Sequence, residues 1–497
     1  MPPPGSDTAA LPQEICDLIL DTLAWSKFDS KSTRLSDLKA CSLVSKGWRM
    51  RAAVHLFKSI TLPSPTFSQV EWVGREQKKL SSEEEAELMK QAATRLQEAV
   101  QPGGMLSSAS SIVLHIQLVT LNVLSSIEFL DQALPLLQQI PFKPNQLRGI
   151  TLDRVVLVPP FLSYLSALLL DNNDSVEQIS FHELTLTTTG FVEGATSVDI
   201  LITISNIFPP LPNLQHLYLK NMDVENLIES QNRDDEDLIS NIPLHLPRPS
   251  PKTLTLDIDD ELGAVILEEF LFNPERAFFD LASTRELNLT HYEYELSAHS
   301  RVLLGAEASL HRFSVRVCRK PKASRAHFYA PSRDDIRRDT EIIKHLPQQA
   351  PNLTHFTAFL ELKYYRTEQF IHGLPELKTL RFLQVLDIQV DVDFDSFKSD
   401  SDRPILTKDA DSKNWDSIKT KLMLLDDNLE ILTFGTLSDS LTNIGVAIKV
   451  KGVSLETAKS FIDPCFPQMK LRSSPRFNLD YYKNDEILPM PSEYLHV

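Results

Sequence analysis

LPNLQHLYL, residues 211–219, carries the pattern that organises most of this chain. Pro212 and Asn213 make a turn, because proline cannot donate a helical hydrogen bond and asparagine bonds its own backbone locally. Leu214, Leu217 and Leu219 then follow as apolar-x-x-apolar-x-apolar, and the end of that run alternates sides as a strand does. The phrase returns as Leu147-x-x-Ile150-x-Leu152, Val176-x-x-Ile179-x-Phe181, Leu310-x-x-Phe313-x-Val315, Leu383-x-x-Leu386-x-Ile388 and Leu429-x-x-Leu432-x-Phe434. Shorter copies are Leu114-x-Ile116, Leu254-x-Leu256, Leu287-x-Leu289 and Leu353-x-x-Phe356. APNLTHFTAF (350–359) and DDNLEILTF (426–434) repeat the turn as well as the strand. Between copies lie stretches long enough for a helix, such as LIESQ (227–231) and DTEIIKHLP (339–347). Strand then helix, repeated with one handedness, stacks parallel strands so that neighbours share a continuous core. The fold expected is therefore α/β, an irregular solenoid of parallel strands alternating with helices. A single globular α/β domain is the other arrangement open to this pattern.

Composition limits what such a chain does. Its 497 residues are 42% hydrophobic, enough for a large core and too many for global disorder. Only 14 are glycine, which disfavours glycine-rich phosphate loops. The net charge of −17 repels nucleic acid and anionic membrane, so neither is expected as a partner. The four cysteines (Cys16, Cys41, Cys318, Cys465) lie far apart without a CxxC, which indicates neither a disulfide framework nor a zinc site. MPPPGSDTAALPQE at the N-terminus lacks the basic and apolar regions of a signal peptide. The apolar run FLSYLSALLL (161–170) falls short of the ~20 residues that span a bilayer. An intracellular setting, cytoplasmic or nuclear, is expected, and the N-x-S/T triplets at Asn173, Asn288 and Asn352 then read as chance.

Along the chain, residues 1–10 form a Pro-rich lead-in and 11–62 a helical unit. Residues 63–108 are a linker whose charged stretch 75–100 reads as a helix, 109–463 the repeat region, and 464–497 an irregular tail. Two acidic interruptions, 230–251 and 391–420, read as surface loops.

Within the helical unit, LPQEICDLILDTLAW (11–25) is amphipathic, with Ile15, Leu18, Ile19 and Leu23 on one stripe. SKFDSKSTR (26–34) reads as a polar loop, after which Ser36 caps a helix over DLKACSLVS (37–45). Gly47 permits a turn into WRMRAAVHLF (48–57), and SITL (59–62) reads as an extended exit. A unit of ~50 residues cannot bury this many large apolar side chains by itself. The surplus must face a partner or the repeats, and a tryptophan in such a patch is a usual hot spot.

Leu11-Pro12-x-Glu14-Ile15, Ile19, Leu23, CSLVSKGW (41–48) and HLF-x-x-I (55–60) together resemble an F-box, over roughly the first tenth of the chain. The later segments resemble leucine-rich repeats. The ninth position of that repeat, normally Asn or Cys, holds Val155, Leu184, Met222, Tyr292 and Leu437, with only Cys318 conforming. The resemblance implies a three-helix F-box that docks the small adaptor subunit of an SCF-type (Skp–cullin–F-box) ubiquitin ligase and, through it, a cullin. By motif position Leu11, Pro12, Ile15, Ile19, Leu23, Leu43, Val44 and Trp48 are the docking candidates. The repeats would then present a protein target for ubiquitination, with no cofactor and no catalytic group of the chain's own. The alternative is a leucine-rich-repeat-like scaffold whose N-terminal helices only cap the array.

No nucleotide-loop, zincin or nucleophile-elbow motif occurs. FHELTL (181–186) lacks a second histidine, and DIDDE (257–261) reads as solvated loop acid. The run RVCRKPKASR (316–325), followed by Arg333, Arg337 and Arg338, is basic within an acidic protein. Clustered arginine suits phosphate or acidic segments. Lys220, Arg316, Arg319, Lys320, Arg337 and Arg338 are accordingly the candidate target contacts, and the outward strand positions His216, Tyr218, Lys220, Asn288, His311, Ser314 and Arg316 would line the binding face.

Overall fold

The computed structural model of the 497-residue chain describes residues 15, 18–20, 23, 31–41, 43–44, 48, 51–52, 59–62, 87, 90–91, 94–95, 97–98, 101, 112–117, 134–135, 137–140, 142–182, 184–186, 208–220, 223–224, 248–257, 279–291, 306, 308–317, 341–362, 366–394, 412–433, 440–471 and 475–483. It divides into two compact units, Met1–Leu214 with Asp223–Pro247, and Gln215–Met222 with Arg248–Val497. LIESQ, the expected helix at 227–231, lies outside the described residues.

The first unit contains helix α1 (Lys31–Cys41) and strands β1 (Ser59–Leu62), β2 (Ile112–Gln117), β3 (Leu147–Asp153) and β4 (Val156–Leu157). Helix α2 (Pro159–Asp171), β5 (Gln178–His182) and β6 (Thr185–Leu186) follow. The order β1-β2-β3-β5 is parallel throughout. After β7 (His216–Lys220), which belongs to the second unit, β8 (Asp223–Val224) pairs with β6 and β6 with β4 in a small parallel sheet. SITL, expected as an extended exit, is thus a sheet strand. Helix α2 begins with two prolines in its first turn, where the missing N–H groups have no helical partner to lose. It buries Phe161, Leu162, Leu165 and Leu169.

The second unit adds to β7 the strands β9 (Thr253–Asp257), β10 (Glu286–His291), β11 (Arg312–Val317), β12 (His355–Glu361), β13 (Val385–Asp393), β14 (Asn443–Lys451) and β15 (Arg476–Lys483). Each pairs in parallel with the one before it, so the strand order is the sequence order. Parallel neighbours need a crossover. Helices α3 (Glu341–Gln349), α4 (Arg366–Gly373), α5 (Ser412–Thr433), α6 (Leu455–Ile462) and α7 (Pro467–Lys470) lie in those connections, with a 3₁₀ turn at Leu374–Thr379. Among the described residues no helix is long and apolar enough to cross a membrane.

Registration of the strands aligns their apolar residues into rungs. Leu217, Leu254, Leu287, Phe313, Phe356, Leu386 and Ile444 are partners in turn, and so are Leu219, Leu256, Leu289, Val315, Ala358, Ile388 and Val446. All fourteen are buried. At the middle of the first rung the Phe313 and Phe356 rings lie 5.7 Å apart, in the tilted arrangement aromatic pairs favour.

One turn geometry starts several strands. The amide of Leu214 bonds the carbonyl of Leu211 at 3.1 Å, Thr284 bonds Leu281 at 2.9 Å, and Leu353 bonds Ala350 at 3.1 Å. Polar side chains of these turns reach the preceding repeat. Asn213 Nδ2 donates to Asp174 O at 2.7 Å, Asn352 Nδ2 to Ala308 O at 3.0 Å, and Ser309 Oγ to Thr284 O at 2.6 Å. Polar bridging between successive connections is thus supplied ahead of the strand.

Three expectations are corrected. DDNLEILTF is not a strand, since residues up to Thr433 form the end of α5. Ile418, Leu422, Leu425, Leu429 and Leu432 are buried at steps of four, three, four and three, the stripe of a helix. Leu429-x-x-Leu432 fits both templates, and only the longer window separates them. The interruption 391–420 is not a loop at either end, because Asp391–Asp393 finish β13 and Ser412 starts α5. The tail 464–497 is not irregular throughout, because it supplies α7 and the strand β15.

Candidate functional site

Two surfaces bear on function, one in each unit. In the first, Leu20, Leu38 and Ala52 are buried together, with Leu23, Cys41 and Trp48 packed against them. Helix α1 starts at Lys31, earlier than the expected cap at Ser36, because Lys31, Arg34 and Leu35 are good helix formers that extend the run N-terminally. It ends at Cys41 in a tight turn, with Leu43 N bonded to Ala40 O and Val44 N to Cys41 O, both at 3.1 Å. That turn lifts Leu43 and Val44 off the cluster. Leu43 is 79% exposed, Val44 65%, Leu18 63% and Ile15 43%. Of the eight docking candidates, Ile15, Leu43 and Val44 are therefore exposed. Ile19, Leu23 and Trp48 are partly buried, the last two against the cluster, and Leu11 and Pro12 lie outside the described residues.

The second surface is the face of the β7–β15 sheet opposite the apolar rungs. Its rungs are polar. One runs Tyr218, Thr255, Asn288, Ser314, Thr357, Asp387, Gly445, Asn478. The next runs Lys220, Asp257, Thr290, Arg316, Phe359, Gln389, Ala447, Asp480. Much of this face is internally satisfied. Tyr218 Oη donates to Asp257 Oδ2 at 3.4 Å, Asn288 Nδ2 to Thr255 Oγ1 at 3.3 Å, and Asn478 Nδ2 to Asn443 Oδ1 at 2.9 Å. Burial, then the Asp257 carboxylate, pushes the Tyr218 hydroxyl well above its usual range.

Of the six candidate target contacts, the two that are described, Lys220 and Arg316, stand apart on the sheet. Arg316 lies over the Phe359 ring, 5.3 Å from its centroid, a cation–π contact. Lys220 is three strands away on the same rung, next to Asp257, or roughly 14 Å at ~4.8 Å per strand. Arg319, Lys320, Arg337 and Arg338 lie outside the described residues.

Sequence reasoning missed the part of this face around β13 and β14. Burial raises the Asp391 carboxyl above its ordinary range, against the pull of Lys449 and Arg316. Asp387 is raised by burial alone. Its Oδ1 occupies the space where a β-carbon on Gly445 would sit. Among the described residues Asp387 has no hydrogen-bond partner, and the neighbouring Gln389, 8% exposed, has an Oε1 without one. His355, one rung earlier, is lowered first by its own burial and then by Arg312. The signal that finds these residues is the alternation in VLDIQVDVD (385–393) and NIGVAIKVK (443–451), which puts Asp387, Gln389 and Asp391 on one face. Among the described residues no group of three or more His, Cys, Asp or Glu side chains is arranged to hold a metal ion.

No protein-family model matches the chain, and no curated protein matches it.

Proposed function

We propose that this chain is the substrate-recognition adaptor of an SCF-type ubiquitin ligase, with residues 11–62 as an F-box and the parallel sheet as a leucine-rich-repeat-like capture surface. The F-box docks the small adaptor subunit and, through it, a cullin, and the sheet holds a protein target. Tethering raises the effective concentration of a target lysine beside the ubiquitin donor, so the chain itself needs no catalytic group. The observation that carries this reading is the exposure of Ile15, Leu18, Leu43 and Val44 in the unit whose described buried residues are Leu20, Leu38 and Ala52. Large apolar side chains grouped at a surface favour a protein partner.

The test is co-purification of the full chain with the adaptor subunit. Wild type is expected to capture it, and Leu43→Asp, at a side chain 79% exposed in the free chain, is expected to lose it while melting unchanged. Capture undiminished by Leu43→Asp together with Val44→Asp overturns the docking assignment. A second reading, in which the helices only cap the repeats, draws support from β1, which pairs along β2 at Ser59–Leu62. Under that reading no adaptor subunit is captured.

A further inference from the structure

The apolar rungs of the second unit end at β15 on side chains that are not fully covered. Phe477, Leu479 and Tyr481 continue the rows of Ile444, Val446 and Ile448. Those three β14 residues are buried, whereas Phe477, Leu479 and Tyr481 are each only partly so. Two of them are held on the apolar face. The Phe466 ring lies 6.0 Å from that of Phe477, Tyr481 Oη donates to Asp463 Oδ1 at 2.6 Å, and Lys459 of α6 stands 5.5 Å over the Tyr481 ring. What remains open is the edge of the sheet. Among the described residues β15 pairs with β14 and with no strand beyond it. We infer that a second copy of this chain covers that edge, β15 against β15, antiparallel across a two-fold axis at Leu479.

The backbone sets the register. Arg476 N donates inward to Thr442 O at 3.0 Å. Peptide groups alternate sides along a strand, so the N–H and C=O of Phe477, Leu479 and Tyr481 point away from β14, as a template for another strand. An axis at Leu479 sets Leu479 against its own copy and Phe477 against the partner's Tyr481. Every outward group then meets an outward group, and the ladder gains about six hydrogen bonds. An axis at Asn478 ends the ladder on Pro475, which has no N–H. An axis at Asp480 puts two carboxylates directly opposite each other, with ~4.5 Å between their Cα atoms. An axis at Tyr481 leaves Phe477 uncovered.

The side chains agree with the same register. On the apolar face an aromatic pair stands on either side of a leucine pair, a favoured cross-strand combination. On the polar face Asn478 Nδ2 donates to Asn443 Oδ1 at 2.9 Å and has a second N–H for the partner's Asp480. Arg476 stands diagonal to that same carboxylate, and Arg476 and Asp480 are both exposed in the free chain. The edge is thus complementary to itself in charge as well as in backbone direction. No proline or glycine interrupts RFNLDYYK. Stacked repeats need a cap at their ends, and the second copy supplies one by continuing the sheet.

Sedimentation equilibrium of the full chain, in salt of about 0.15 M so that repulsion between acidic chains is screened beyond ~8 Å, reads the assembly. One strand per partner makes a small interface, under ~1,200 Å², so dimers with a dissociation constant of roughly 10–100 µM, and no larger species, are expected up to about 300 µM. Leu479→Pro removes an N–H that β14 does not use, which an edge strand tolerates, and is expected to weaken the dimer 10-fold or more with the circular dichroism of the fold retained. Asp480→Lys, at an exposed side chain, places a cation beside the partner's Arg476 and is expected to weaken it at least 3-fold. Oxidising a mixture of Asn478→Cys and Asp480→Cys is expected to yield a disulfide-linked dimer with one chain of each, which neither variant forms alone. Should Leu479→Pro fail to fold, Asp480→Lys and the mixed disulfide decide the matter. A chain that stays monomeric, species that keep growing with concentration, or a dimer lost in Leu43→Asp and kept in Leu479→Pro overturns the inference. Leu43→Asp is expected to leave the dimer unchanged, so ligase docking and edge pairing succeed or fail separately.

Discussion

The N-terminal cluster and the sheet of the second unit solve the same problem with different means. The sheet aligns a leucine, phenylalanine or isoleucine of each strand with its neighbour's, so every apolar side chain on that face finds cover from the next repeat. Among the described residues around Leu20, Leu38 and Ala52, Leu18, Leu43 and Val44 stay exposed. The lesson is about surplus. A core built from aligned strands absorbs its apolar residues by adding neighbours, and under the proposed adaptor reading the exposed residues of the helical cluster are covered by another chain.

That contrast is most strongly tested at Phe356, fully buried at the middle of its rung beside Phe313. Phe356→Ala is expected to destabilise the chain by ~3–5 kcal/mol, read as a fall in the denaturant midpoint. Leu38→Ala, in the N-terminal cluster, is expected to lose nearer ~2 kcal/mol, the lower end for a buried leucine. A larger loss at Leu38 than at Phe356 would invert the comparison. Leu43→Asp is expected to shift stability by less than ~0.5 kcal/mol, as surface changes usually do, while abolishing capture of the adaptor subunit. A cooperative loss of fold in that variant would mean that Leu43 is covered from within after all.

Much of the fold was legible because a strand's apolar period survives sequence drift. Leu147–Leu152, Leu214–Leu219, Leu310–Val315 and Leu383–Ile388 all lie in or lead into parallel strands. The reading failed where a short window satisfied two periods, as at Leu429-x-x-Leu432, and where composition was allowed to outvote alternation, as at Asp391–Asp393. The strand β14 escaped because Gly445 and Ala447 dilute its apolar character, although Ile444, Val446, Ile448 and Val450 alternate without a break. The candidate site was less legible still. Of the six basic candidates, Arg316 lies over Phe359 and Lys220 stands three strands off, while the other four lie outside the described residues. Which side chains lack partners depends on register between distant strands, and no local window contains it.

The smallest expected effect is a pH dependence set by the half-buried Asp387 carboxyl on the polar face of the sheet. Burial raises the Asp387 carboxyl above its ordinary value of 3.8, with no hydrogen bond among the described residues to offset it. The folded chain therefore holds this proton more tightly than the unfolded chain does. As pH rises from the unfolded value through the folded one, the unfolded state releases its proton first, and stability falls. Above that window the chain carries a half-buried charge that asparagine would not. Asp387→Asn is thus expected to raise the melting temperature modestly at pH 7, with the advantage shrinking to nothing as pH falls below about 3.8. Thermal melts of wild type and variant between pH 3.5 and 7.5 check it. A variant less stable than wild type at pH 7 would mean that the carboxylate has a stabilising partner in the folded chain.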